Sequence, residues 1–179
     1  MRILLFGATG QTGRALVSQA IARGHTVVAF VRDSSKLAIS HANLEYVQGN
    51  ILDTQSLEAA FENPVDAVVS ALGIYHFGAC TDLSDGTKNI LDAMHRHGVQ
   101  RIVVVSSVGV GDSRGQGNFA ARLIQKLSLR EVLADKERQE QHLRESNLDW
   151  TAIRPPRLTD SEIVRTDVAM WQGDTPKEP

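Results

Sequence analysis

The chain has 179 residues, of which 42% are hydrophobic and 22% charged, the composition of an ordinary globular protein. Its 19 lysines and arginines against 21 aspartates and glutamates give a net charge of −2, which argues against nucleic acid or an anionic membrane as a partner. The single cysteine, Cys80, excludes an internal disulfide and a zinc site built from several cysteines. With no export signal and no apolar run long enough for a membrane span, we expect a cytoplasmic protein.

Short apolar runs alternate with amphipathic segments along most of the chain. The apolar runs predict strands over residues 2–6, 26–31, 44–47, 67–72, 101–105 and 150–153. Helical spacing predicts helices over residues 12–23, after a cap at Asp53, from a cap at Ser84 to Gly98, and over 119–146 with a break near Ser128. Within the last helix, the charged stretch 135–141 reads as solvated surface, and Lys136 as a solvated lysine.

Alternating strands and helices with short links are the signature of βαβ units. We therefore predict an α/β fold of the Rossmann type: a doubly wound, mainly parallel sheet with helices on both faces, in three layers α/β/α. The pattern fades from Thr159, so the expected domain covers residues 1–158. Residues 159–179 read as a flexible tail or as an incomplete substrate lobe.

A glycine-rich turn with the sequence GATGQTG covers residues 7–13, between the first predicted strand and the first predicted helix. Gly7 permits a tight turn, Gly10 lets backbone amides approach a pyrophosphate, and Gly13 lets the helix pack against the strand. The N–H groups and positive dipole end of the following helix suit an anion. The spacing is GxxGxxG rather than GxGxxG, but a purely structural turn has no need of three glycines. This context predicts a dinucleotide cofactor.

The end of the second predicted strand indicates which dinucleotide is preferred. Asp33 is able to accept from ribose hydroxyls, which favours NAD, whereas Arg32 and Lys36 suit the 2′-phosphate of NADP. We expect NADP(H) to be preferred over NAD(H). A solvated Arg32–Asp33 pair with no ligand role is the alternative.

These stretches resemble the atypical short-chain dehydrogenase/reductase superfamily. Within it, the chain is similar to the NAD(P)-binding group that contains NmrA-like proteins and flavin reductase/biliverdin reductase B. The matching stretches are FGATGQTG (6–13), VRDSS (31–35), DLS (82–84), NI (89–90) and LRES (143–146). The likeness runs from Met1 to about Pro156, and members usually continue through a further strand and helix.

The resemblance also implies roles for particular residues. Arg32, with Lys36 beside it, would hold the 2′-phosphate, and Asn50 stands where the family has an aspartate near the adenine. Ser106 and Ser107 match a serine near the nicotinamide. Turn and resemblance together predict that the cofactor contacts Gly7, Thr9, Gly10, Gln11, Thr12, Gly13, Arg32, Lys36, Asn50, Ile51, Ala71, Leu72, Gly73, Ser106 and Pro155.

The proton donor of typical short-chain dehydrogenases is missing from this sequence. Short-chain dehydrogenases use a Tyr-x-x-x-Lys pair, in which the lysine lowers the tyrosine pKa. This chain has only Tyr46 and Tyr75, followed four residues later by Asn50 and Ala79. Alcohol–ketone chemistry with a tyrosine acid, and the sugar-nucleotide epimerase reaction that needs the same tyrosine, are therefore disfavoured.

The catalytic candidates are Ser107, His76 and Arg157. Ser107 would orient the nicotinamide or the acceptor, or would satisfy backbone groups at a strand end. Tyr75 and Phe77 would stack on a flat substrate, or plug the protein beneath their loop. Arg157, which stands where biliverdin reductase B has a histidine, would hold an acidic substituent, or is a surface arginine. No metal site is predicted, since the closely spaced His95 and His97 diverge on a helix.

The leading hypothesis is an NADPH-dependent reductase that transfers hydride to a flat conjugated acceptor, namely a flavin, a quinone or a biliverdin-like tetrapyrrole. Such an acceptor delocalises charge and does not require the tyrosine–lysine pair. The alternative is a non-catalytic NAD(P)-binding redox sensor of the NmrA-like type. We expect a small-molecule partner and a monomer or weak homodimer.

Overall fold

The computed structural model describes residues 1–37, 39–73, 80–113 and 130–155. The strands are β1 (Arg2–Phe6), β2 (Thr26–Val31), β3 (Leu44–Gln48), β4 (Ala67–Ser70), β5 (Arg101–Val105) and β6 (Asp149–Ile153). The helices are α1 (Gln11–Ala22), α2 (Thr54–Ala60), α3 (Asp82–Arg96) and α4 (Arg130–Glu145). Two 3₁₀ turns lie at Ser34–Leu37 and Gly111–Ser113.

The six strands form one parallel sheet in the order β3-β2-β1-β4-β5-β6. The chain first builds outward from β1 to β3, then returns to the other side of β1 with β4 and continues to β6. This order confirms the predicted doubly wound Rossmann-type fold.

Each face of the sheet packs against its own helices. On β1, Leu4 and Phe6 face α2, α3 and α4 in the larger apolar cluster, whereas Leu5 faces α1 and packs with Val17 in the smaller one. This division follows from the period of two along a strand. It confirms helices on both faces.

The start of α3 differs from the prediction. Ser84 does not cap the helix, which begins at Asp82, because the Ser84 hydroxyl lies inside the first turn and donates to the Thr81 carbonyl at 3.0 Å. The acceptor for the first amides comes from α4 instead. Leu83 N and Ser84 N donate to the two carboxylate oxygens of Asp135 at 3.2 and 3.3 Å. Asp135 therefore caps α3 from a neighbouring helix.

The expectation that residues 135–141 form a solvated surface is wrong. Asp135, Gln139 and Glu140 are exposed by only 3%, 0% and 0%, because α4 packs this polar face against α3 and the ends of the strands. Gln139 Nε2, for example, donates to the buried Thr87 hydroxyl at 2.9 Å. Buried polar groups of this kind persist where they find partners.

Some expectations lie outside the described residues, namely the helix break near Ser128 and the tail over 159–179. In the part of the chain that the structure describes, no helix combines the length and apolar character that crossing a bilayer requires. Among the same residues, no group of three or more His, Cys, Asp or Glu side chains is arranged to hold a metal ion.

Candidate functional site

The candidate site lies at the carboxyl ends of the parallel strands, where the strand order reverses between β1 and β4. Open α/β sheets bind ligands in the crevice at this point. Gly7 follows β1, and Ala71 and Leu72 follow β4; a Cβ on Gly7 would lie 2.6 Å from Ala71 O and 2.9 Å from Leu72 N. The two loops are therefore in backbone contact, as expected if both line one cofactor.

The three glycines of the turn have different structural constraints. Gly7 has φ +80°, which side chains rarely adopt. A Cβ on Gly13 would lie 2.0 Å from Gly7 O, so only glycine allows α1 to pack against the turn. A Cβ on Gly10 would meet no protein atom closer than Gly7 O at 3.5 Å, an ordinary contact. The fold does not require glycine at position 10, which leaves close approach by a ligand as a reason for it.

The N-terminus of α1 is suited to bind an anion. Its N-cap, Gly10, has no side chain to accept from the first amides, and its first turn carries no Asp or Glu. The first backbone bond within the helix runs from Arg14 N to Gly10 O at 2.9 Å. By contrast, α2 is capped by Asp53, which accepts from Gln55 N at 3.0 Å. The glycine turn and this helix end fit the pyrophosphate of a dinucleotide.

The end of β2 presents two exposed cations, Arg32 and Lys36. Among the described residues, the Arg32 side chain forms no hydrogen bond or ion pair, so the structure contains no Arg32–Asp33 pair. Asp33 instead accepts from Ser35 N and Ser35 Oγ at 3.0 and 2.6 Å. The hydrogen bonds from Ser35 lower the pKa of Asp33 below its usual value. The carboxylate starts the 3₁₀ turn, and the Arg32 guanidinium remains available to a phosphate.

Arg14 is a residue that the sequence analysis missed. Its Nε donates to Thr9 O at 3.1 Å, and its Nη2 donates to Lys36 O. One guanidinium thus contacts both the glycine turn and the Ser34–Leu37 turn. Its position directly after Gly13 was visible in the sequence, but its contact with the second turn was not.

Asn50 and Ile51 follow β3 and are tied into the local backbone. Asn50 Oδ1 accepts from Leu52 N at 3.1 Å, and Asn89 Nδ2 donates to Ile51 O at 3.0 Å. Asn50 is exposed and Ile51 half-buried, packed on the larger apolar cluster. Their contacts with the adenine end of a cofactor stay a prediction.

The residues after β5 and β6 meet at the other half of the sheet edge. Ser106 N donates to Ile153 O at 2.7 Å, and Val108 N donates to Pro155 O at 3.3 Å. The Ser106 hydroxyl, in a residue only 4% exposed, donates to Glu140 Oε1 at 2.6 Å. Ser107 Oγ is half-buried and donates to Val108 O at 3.2 Å. The structure brings Ser106, Ser107 and Pro155 together, and their cofactor contacts stay predictions.

Two further α4 residues reach this edge. Glu140 accepts from Arg154 and Arg144 as well as from Ser106, and its side chain is fully buried. Lys136 is half-buried rather than solvated, and its Nζ donates to Val105 O, at the end of β5, at 3.2 Å. Burial lowers the pKa of Lys136, against the opposing charges of Glu140 and Asp135. Because this segment is highly charged, the sequence predicted that both side chains would be exposed to solvent.

Four predicted residues lie outside the described part of the chain. They are the aromatic-loop residues and the arginine after the two prolines: Tyr75, His76, Phe77 and Arg157. Their catalytic and substrate-binding roles stay predictions.

Comparison with known proteins identifies the family of the chain. The sequence pattern of the family described as NAD(P)H-binding matches residues 7–179. Among curated relatives, the photosystem II assembly factor Ycf39 of Synechocystis is 31% identical over 158 residues, which are 86% of this chain. The chain spans 44% of the length of that relative.

Two solved structures share the fold. ChuY, an anaerobilin reductase of Escherichia coli O157:H7, has a TM-score of 0.71 at 24% identity, over 87% of this chain and 72% of its own. A short-chain dehydrogenase/reductase of Veillonella parvula in complex with NADP has a TM-score of 0.72 at 21% identity, over 86% of this chain and 68% of its own. At these identities the likeness is one of fold.

Proposed function

Because the chain belongs to the NAD(P)H-binding family, we propose that it is an NADPH-dependent reductase that transfers hydride to a flat conjugated acceptor: a flavin, a quinone or a biliverdin-like tetrapyrrole. One observation carries the cofactor preference. The exposed Arg32 guanidinium has no protein partner among the described residues, while one oxygen of the neighbouring Asp33 carboxylate, Oδ1, accepts both hydrogen bonds from Ser35. A guanidinium without a protein partner suits a 2′-phosphate, and this charge-assisted contact would favour NADPH over NADH.

The binding roles follow from the same part of the structure. The amides at the start of α1 and the open space at Gly10 would hold the pyrophosphate. Arg32 and Lys36 would hold the 2′-phosphate, and the backbone of Ala71 and Leu72 would line the adjoining ribose. When bound, the cofactor supplies the hydride, and the protein contributes orientation and exclusion of water.

The choice of acceptor rests on the missing tyrosine–lysine pair and on the predicted aromatic loop. A conjugated acceptor spreads the added charge, so it does not need a strong proton donor beside the reacting carbon. Tyr75 and Phe77 would stack on such a plane, and His76 is the side chain we propose as proton donor. The shared fold with an anaerobilin reductase supports a tetrapyrrole among the acceptors.

The cofactor half of the proposal is tested by binding. Calorimetry on the wild type should give a lower Kd for NADPH than for NADH. Arg32→Ala should raise the NADPH Kd by about tenfold or more, the effect of losing one charge-assisted contact, and leave the NADH Kd nearly unchanged. An NADPH Kd that is unchanged in Arg32→Ala contradicts the assignment. No binding of either nucleotide would overturn the proposed function as a whole.

The reductase half is tested by turnover. NADPH oxidation should be followed with FMN, menadione and biliverdin as separate acceptors, with NADH as the matched donor control. We expect turnover with at least one acceptor and faster turnover with NADPH. Tight NADPH binding without turnover of any acceptor would contradict the reductase.

The second candidate function is an NADP-binding regulatory protein. The specific observation in its favour is the similarity to Ycf39, a relative described as an assembly factor rather than by a reaction. The missing tyrosine–lysine pair is equally compatible with it. It predicts protein partners whose capture changes with NADP, so a set of partners insensitive to the cofactor rules it out.

A further inference from the structure

We propose that Arg14 is a positioning residue for cofactor selectivity, which fixes the Ser34–Leu37 turn against the glycine turn and so places Arg32 and Lys36 to receive the 2′-phosphate. This inference rests on the proposed function, because it takes NADPH as the cofactor. It assigns a role to a residue outside the expected set of cofactor contacts.

The geometry is that of a bridge between two loops. Arg14 Nε donates to Thr9 O at 3.1 Å, and Arg14 Nη2 donates to Lys36 O, 22 residues further along the chain. Both acceptors are backbone carbonyls, one in each loop. A planar guanidinium donates in fixed directions, so it holds these carbonyls in a defined relative position.

The Ser34–Leu37 turn is held at both ends. Asp33 fixes its beginning through Ser35, and Leu37, which is fully buried, anchors its end in the smaller apolar cluster. Arg14 adds the side-chain contact between this end and the glycine turn. Arg32 lies two residues before the turn and Lys36 lies within it, so the position of the turn sets the spacing of the two cations from the start of α1.

The bridge should matter for selectivity more than for binding in general. NADH and NADPH share the pyrophosphate, so a disturbed Thr9 carbonyl would weaken both. Only NADPH would use Arg32 and Lys36, the cations placed by the second turn. The ratio of the two dissociation constants therefore reports on the contact between Arg14 and Lys36.

A simpler alternative is that Arg14 contributes only its positive charge to the phosphate region. Arg14→Lys separates the two accounts, because an ammonium keeps the charge but lacks the planar fork that bonds both carbonyls. Arg23→Ala is the matched control: Arg23 is an exposed arginine at the other end of α1, and its side chain is hydrogen-bonded only to Gln19 among the described residues.

The experiment measures NADPH and NADH dissociation constants by calorimetry for the wild type, Arg14→Ala, Arg14→Lys and Arg23→Ala. We expect the NADPH preference to fall by about three- to tenfold in both Arg14 variants, the range expected for one lost hydrogen bond. Arg23→Ala should keep the wild-type preference. Wild-type selectivity in Arg14→Lys, or an equal change for both nucleotides in Arg14→Ala, would overturn the positioning role.

A second measurement does not depend on the cofactor. Amide hydrogen exchange of the cofactor-free protein should be faster in residues 34–37 of both Arg14 variants than in the wild type or Arg23→Ala. Unchanged exchange there contradicts the bridge itself. If exchange rises but the wild type binds NADPH no better than NADH, the bridge stands, whereas the NADP assignment and the selectivity role are both wrong.

Discussion

Glu140 and Arg154 form an ion pair in which the guanidinium contacts both carboxylate oxygens: Nε lies 2.9 Å from Oε1, and Nη2 lies 2.6 Å from Oε2. The Glu140 side chain is fully buried, and Ser106 and Arg144 complete its hydrogen bonding. Through this carboxylate, α4 is joined to the residues that follow β5 and β6. The pair therefore fixes the edge of the sheet on which the substrate side of the site is expected.

Removing one partner of this pair should be costly. We expect Arg154→Ala to lower the free energy of unfolding by about 3 kcal/mol, because it leaves a buried carboxylate without its main partner. The matched control is Arg101→Ala, which breaks an exposed pair with Asp149 and should cost less than about 1 kcal/mol. Urea denaturation measures the free energy of unfolding of both variants. Equal losses would show that the buried pair stabilises the protein no more than the exposed pair.

The pH dependence of stability should carry the signature of Glu140. Burial raises the pKa of this carboxyl, but the hydrogen bonds from Arg154 and Ser106 outweigh burial and hold it below its usual value. A carboxyl with a lowered folded-state pKa adds stability above its unfolded pKa, about 4.3, and loses it as the pH falls through the folded value. The wild type should therefore lose stability on acidification more steeply than Glu140→Gln. Urea denaturation from pH 7 to pH 3 measures this, and parallel curves for the two proteins would contradict it.

Capping of α3 by Asp135 gives a third prediction. Asp135→Ala removes the acceptor of two helix amides, Leu83 N and Ser84 N, and should cost about 1–3 kcal/mol. Asp135→Asn keeps one acceptor oxygen and should cost less. Asp85→Ala, at an exposed position in the same first turn, should cost no more than about 1 kcal/mol. Thermal unfolding compares the three variants, and a larger loss in Asp85→Ala would refute the capping role.

The glycine turn gives a fourth prediction: one substitution should impair both stability and NADPH binding, and another should impair NADPH binding with little effect on stability. Gly13→Ala places a methyl group 2.0 Å from a backbone carbonyl, so we expect loss of stability together with loss of NADPH binding. Gly10→Ala meets only an ordinary contact at 3.5 Å, so its folding cost should stay below about 1 kcal/mol. Its NADPH Kd should nevertheless rise by at least about tenfold, because the methyl group occupies the approach to the first amides of α1. Calorimetry and thermal unfolding test both variants. Normal NADPH binding by Gly10→Ala would place the pyrophosphate elsewhere.

The fold and the glycine turn were predictable because their signals are local. Apolar runs bounded by glycine specify buried parallel strands, and a glycine that must accommodate a turn, such as Gly7, stands out in the sequence itself. The strand limits differ from prediction by one or two residues, as in β4, which ends at Ser70 rather than at 72.

The buried charges of α4 were not predictable because their partners lie far away in sequence. Glu140 reads as surface until Arg154 and Ser106, 14 and 34 residues away, are brought beside it by the sheet. Asp135 finds the α3 amides more than 50 residues away. Arg14 was missed for the same reason, since its second acceptor belongs to another loop. Hydropathy scores each residue by itself, whereas these charged residues are stable in the interior only because other residues pair with them.

Glu140 on α4 contacts residues that follow β5 and β6, and these contacts have a consequence for truncated forms of the protein. A fragment that stops after α4 would retain the carboxylate and its helix but lack Arg154, whose guanidinium neutralises it. In such a fragment, α4 should be exposed to water rather than packed against the rest of the protein. Strand β5 would also lose β6, the strand to which it hydrogen-bonds at the sheet edge. Limited proteolysis between Glu145 and Asp149 should thus yield an unfolded product, which makes β6 an obligatory part of the smallest piece that folds.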